Sequence, residues 1–208
     1  YGAGGARGQR DRRYMLGYPG VSHMGLVAMG FAAMTLVGFT GAGIQMVSHG
    51  IMTALFFAVV GMIYDRTHTR SMDELSGIRK VLPWTVVAFI IAGLVGMGMP
   101  GLSGFLAEFP IFLGVWQGRG IDLSAVFGLN PSNFYGWVAI ISILSIIITA
   151  AYVLRAIHAV FFGEYEGEKW HDMRPLLGID KFVLVSFCAL LVLIGLVPLV
   201  IAPIVQSG

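Results

Sequence analysis

Three residues of this 208-residue chain have side chains able to hold and pass a proton within an apolar interior: Glu108 in GMPGLSGFLAEFP (98–110), His23 in GVSHMG and His49 in QMVSHG. A carboxylate at bilayer depth costs about 2.5–3.5 kcal/mol on insertion scales, so such acids face a bundle interior and serve ion or proton transfer. A neutral imidazole donates from one nitrogen and accepts at the other, which is what a proton relay needs. Each histidine follows a serine and lies close to glycine, a composition that lets helices approach and polar groups meet. The bland alternatives are that Glu108 reaches the surface near Arg119 or caps a helix end, and that each histidine bonds a carbonyl of a neighbouring helix.

Other candidates carry less. Arg155 and His158, three residues apart, share a helix face and suggest an entrance to a polar path, although snorkelling to an interface explains them equally well. The run GEYEGEKWHDMRP reads as a solvated loop, and His68 and His171 fall outside the apolar stretches. No metal set is expected, because the histidines lack paired spacing and Cys188 is the single cysteine, placed where it serves packing. GAGGARG lacks the strand and helix that would make it a dinucleotide fingerprint. No cofactor is expected in this chain, and no nucleic-acid partner.

Positioning these groups falls to membrane helices. Hydrophobic residues make up 57% of the chain and charged residues 12%, with a mean hydropathy of +0.82, whereas a soluble domain is roughly a quarter charged. Apolar stretches at 15–35, 42–64, 84–118, 135–162 and 182–205 each meet or exceed the roughly 20 residues of a helical crossing. The reading is an all-α membrane protein, a bundle of about five transmembrane helices in contact with lipid, after a tail at 1–14 that lacks the features of a signal peptide. His23 and His49 then lie near mid-depth.

Basic residues set the orientation. If 84–118 crosses once, Arg7, Arg10, Arg12, Arg13, Arg66, Arg70, Arg79, Lys80, Arg155, Lys169, Arg174 and Lys181 share one side, leaving Arg119 on the other. That side is expected to be cytoplasmic. Two crossings would leave arms of about 22 Å, short for a hydrocarbon core of roughly 30 Å. One straight helix would run to about 52 Å, so the excess must be absorbed. Pro100, which lacks an N–H, and the neighbouring Gly96, Gly98, Gly101 and Gly104 predict a discontinuous helix, with halves at 84–98 and 105–118 and a break around 99–104. Pro100, Gly101 and Gly104 are the expected break residues. Unpaired backbone at membrane depth requires a protein-covered or hydrated interior, and broken helices of this kind line ion sites in transporters.

The succession QRDRRYMLGYPGVSHMG, GAGIQMVSHGIMTALFF, YDRTHTR and MPGLSGFLAEF resembles the carboxy-terminal half of the antiporter-like subunits of respiratory complex I (NADH:quinone oxidoreductase), closest to the M type, chain 4. The resemblance implies a proton-translocating subunit of fourteen helices in two inverted repeats, of which this chain holds the end of the ninth helix and helices ten to fourteen. It assigns Glu108 to a central hydrophilic axis and the proton exit route, and His23 and His49 to relay along that axis. It further implies membrane-subunit partners that carry the redox groups, and residence in a bacterial cytoplasmic or equivalent energy-transducing membrane. Two positions depart from the family pattern: Arg13 stands where lysine is common, and Pro19 where small polar residues are usual. A multisubunit cation/proton antiporter or membrane-bound hydrogenase subunit is the rival within the superfamily, and a structural membrane scaffold is the rival outside it.

Overall fold

The computed structural model describes residues 2–7, 12–69, 77–118, 131–162 and 173–197. Its helices are α1 (Gly2–Arg7), α2 (Arg12–Ala32), α3 (Leu36–Thr67), α4 (Pro83–Gly96), α5 (Ser103–Trp116), α6 (Pro131–Phe161) and α7 (Gly178–Leu196), with a 3-10 turn at Ile78–Lys80. No strand occurs among the described residues. The protein is an all-α membrane protein. α3, α6 and α7 are long and apolar enough to cross a bilayer, and α4 and α5 are shorter apolar helices. α2 has the length, 21 residues, but Ser22, His23 and its glycines make it less apolar. Residues 198–205 of the last expected span lie outside the described residues.

α3 is the hub, packing against α2, α4, α5 and α7. Thr35 starts it by accepting a hydrogen bond from the Gly38 N–H at 3.1 Å, an N-cap through the side-chain oxygen. At its other end His68 adopts a left-handed conformation and its N–H bonds Tyr64 O at 2.8 Å, closing the last turn. One apolar cluster joins the His68 half of α3 to α4, α6 and α7 through Leu55, Val59, Ile63, Leu82, Phe89, Phe161 and Leu184. A second joins α2, α5 and α6 through Leu26, Ile111, Val115 and Tyr135.

The segment from 83 to 116 is two helices joined by 97–102. The junction follows from its residue types. Gly98 takes φ +64 and Met99 N–H bonds Leu94 O at 3.0 Å, the six-to-one closure of a Schellman ending for α4. The chain then turns from Met99 to Leu102, with Leu102 N–H on Met99 O at 3.2 Å, Pro100 at the first central position and Gly101 at φ +90 at the second. Proline followed by a positive-φ glycine is the type II turn signature. Gly104 has a different role from the one its composition suggested. It lies within the first turn of α5, where a Cβ would overlap Val95 O. It lets α5 start against the end of α4 rather than unwinding the chain.

Candidate functional site

The break delivers a carboxylate to two imidazoles. Glu108 lies in the second turn of α5 and is 3% exposed. Its Oε1 is 3.8 Å from His23 Nε2. His23, on α2 and also 3% exposed, places Nδ1 3.0 Å from Nδ1 of His49 on α3, the rings edge to face with centroids 5.0 Å apart. His23 Nε2 is 3.3 Å from Gly96 O, the last residue of α4, and His49 Nε2 is 3.2 Å from Thr53 Oγ1, one turn along α3. Glu108, His23 and His49 are thus one cluster built by four helices.

Hydrogen-bond capacity fixes its polarity. Gly96 O can only accept, so His23 Nε2 carries the proton of a neutral ring and its Nδ1 accepts. His49 therefore donates from Nδ1, leaving Nε2 to accept from the Thr53 hydroxyl. The neutral chain runs Thr53 to His49 to His23 to Gly96 O in one direction. The hydroxyl, both rings and the terminal carbonyl are each matched to a neighbour, and the chain ends beside Glu108.

The carboxylate itself sits against the turn. A Cβ at Gly98 would lie 2.6 Å from Glu108 Oε2, and the residue also needs positive φ, so glycine there serves both the turn and the acid. Ser48 on α3 donates to Ser103 Oγ, at the start of α5, at 2.8 Å, with both side chains buried. On α6, Tyr152 and Thr149 are buried, and the Thr149 hydroxyl donates to Ser145 O at 3.3 Å.

Of the sequence-predicted residues, Pro100 and Gly101 form the turn beside the cluster. Arg155 and His158 lie on α6 with exposed side chains, outside the Glu108–histidine cluster. Gln45, Thr53, Ser103, Thr149 and Tyr152 escape sequence reasoning, because uncharged polar residues in apolar runs look like helix packing. Helical spacing carried a usable signal: Gln45, His49 and Thr53 repeat every four residues on one stripe of α3. Among the described residues no group of three or more His, Cys, Asp or Glu side chains is arranged to hold a metal ion.

The site is thus a broken helix that presents a buried acid to paired imidazoles inside an all-α membrane protein. The family model described as NADH:quinone oxidoreductase/Mrp antiporter, transmembrane, matches residues 1–130. The chain belongs to this family. It is 33% identical over 202 residues to the NAD(P)H-quinone oxidoreductase chain 4 2 of Thermosynechococcus vestitus, covering 95% of this chain and 36% of that protein. It is 34% identical over 204 residues to the chain 4 3 of Trichormus variabilis, with the same coverages. The chain therefore spans about a third of the length of these relatives. Among solved structures, a chain of respiratory complex I from Thermus thermophilus with bound NADH superposes with TM-score 0.83 at 28% identity, over 100% of this chain and 41% of that one. A chain of the Mrp complex from Dietzia sp. DQ12-45-1b shares the fold, with TM-score 0.80 at 20% identity over 99% of this chain and 43% of that one.

Proposed function

We propose that this chain is the part of a proton-translocating membrane subunit of a quinone oxidoreductase that carries a broken helix and its proton-binding acid. The observation that carries the reading is Glu108, 3% exposed at a helix break, with the His23–His49 pair beside it. A proton arriving at His49 Nε2 from the Thr53 side passes as His49 gives its Nδ1 proton to His23, and His23 releases its Nε2 proton toward Glu108. The gap of 3.8 Å is longer than a hydrogen bond, so the last transfer requires a small approach or a bridging water. That gap is a natural control point: coupling needs only to alter the distance or the field at Glu108. Arg155 and His158, on the helix that supplies Tyr152, are proposed to lie at an entrance. The end bearing Arg66, Arg79 and Lys80 is proposed to face the cytoplasm. Redox chemistry belongs to partner subunits, and the membrane is a bacterial energy-transducing one.

The test is Glu108→Gln in the assembled complex, measuring quinone reduction and proton uptake in proteoliposomes. The expected result is normal assembly with proton translocation reduced about tenfold or more; full translocation overturns the reading. The family description also includes Mrp antiporters, so sodium-dependent transport without quinone reduction would favour a cation/proton antiporter.

A further inference from the structure

Two buried side-chain oxygens lack a hydrogen-bond partner among the described residues, Glu108 Oε2 and Gln45 Oε1. Both side chains are 3% exposed. Buried polar atoms are nearly always paired, with protein or with ordered water.

The register of α3 against α5 puts these two residues within about one helical turn of each other along the pair. The helices run antiparallel: Gly41 lies against Ala107 and Ile111, where a Cβ would come within 2.8 Å of Ile111 N and 2.9 Å of Ala107 O, and Ser48 bonds Ser103. Gly41, Gln45 and Ser48 follow i, i+4, i+7 spacing, so Gln45 falls on the same stripe of α3 as the two residues that meet α5. One turn on from Gln45, His49 meets His23, and His23 meets Glu108.

The chemistry of the surroundings selects what joins the two oxygens. With Glu108 ionised, its oxygen and the amide oxygen of Gln45 are both acceptors and cannot bond each other directly, so in that state a donor stands between them. α5 begins at Ser103 with no side-chain cap from Leu102, leaving first-turn N–H groups in need of acceptors. A metal cation satisfies oxygens but is opposed by the positive end of the helix dipole, and an anion is opposed by Glu108. Water donates and accepts, and suits both.

We infer that an ordered water bridges Gln45 Oε1 and Glu108 Oε2, making Gln45 a positioning residue that holds the Glu108 carboxyl for proton exchange with His23. The inference rests on the proposed role of Glu108. In the protonated state of the acid, its O–H donates to the water and the water donates to Gln45. In the ionised state the same water turns to donate to the carboxylate, and no side chain has to move.

The test compares Gln45→Met, similar in size but without the amide, with Gln45→Asn, which keeps an amide one carbon shorter. Both are made in the assembled complex, and proton translocation is measured across pH and at several sodium concentrations. The expected result for Gln45→Met is a loss of about three- to thirtyfold with a displaced pH profile. Gln45→Asn should recover part of both. Translocation and pH profile unchanged in Gln45→Met overturn the inference, as does a loss restored by added sodium, which would make the ligand a cation. If Gln45→Met fails to assemble, Gln45→Asn alone decides: a displaced profile supports the bridge and an unmoved one refutes it. Glu108→Gln in parallel separates the two ideas, since full translocation there sinks the role of the acid itself, whereas a block there with wild-type behaviour in Gln45→Met sinks only the bridge.

Discussion

Glu108, His23 and His49 form one cluster, in which the two imidazoles complete each other's hydrogen bonding and the carboxylate lies 3.8 Å from His23. Removing one ring leaves the other with an unmatched nitrogen in a buried site, so the losses should not add. His23→Gln and His49→Gln are each expected to lower proton translocation by about tenfold or more. The double variant should be no slower than the worse single one, as for residues in one network. Proteoliposome acidification for the three variants, scaled to assembled complex, checks this, and additive losses would mean two separate paths. The three clustered residues stand out in the sequence because charged and titratable groups are costly in an apolar run. Thr53, which orders the histidine pair, could not, because a threonine hydroxyl in a membrane helix equally well bonds its own helix backbone, as Thr40 does with Leu36 O at 2.9 Å.

At the scale of the element, the break is held by two distinct glycine requirements. Gly98 combines φ +64 with contact to the carboxylate. Gly98→Ala should therefore cost about 1–2 kcal/mol from backbone strain and also displace Glu108, lowering translocation more than abundance. Gly104→Ala meets Val95 O instead, so it should lower the amount of assembled complex, with activity per complex less affected. Quantifying the complex by native electrophoresis alongside translocation separates the two outcomes. Pro100 and closely spaced glycines made a break legible in the sequence. Its extent was less so, because a glycine that unwinds a helix and one that admits a neighbour have the same composition. Only the packing of α5 on α4 assigns Gly104 to the second kind.

Across the whole molecule, α7 ties a surface clamp to the break. Arg66 at the end of α3 donates to Asp180 at 2.6 Å and to the carbonyls of Met62 at 2.8 Å, Arg174 at 3.0 Å and Pro175 at 3.3 Å, while Asp180 also accepts from the Leu177 N–H at 3.1 Å. At the far end of α7, a Cβ on Gly195 would overlap the Leu102 backbone. The clamp was invisible in the sequence because its partners lie 114 residues apart, and basic residues after a span read first as topology signals. Arg66→Ala strands a partly buried Asp180 and should cost on the order of 3 kcal/mol, seen as a lower thermal inactivation temperature of the complex. Arg66→Lys should restore only part of it, lacking the guanidinium fork. The most direct test of the account is infrared difference spectroscopy of the assembled complex during turnover. The account predicts a carboxyl C=O band that rises and falls with quinone reduction and is lost in Glu108→Gln; a spectrum unaltered by that substitution would contradict it.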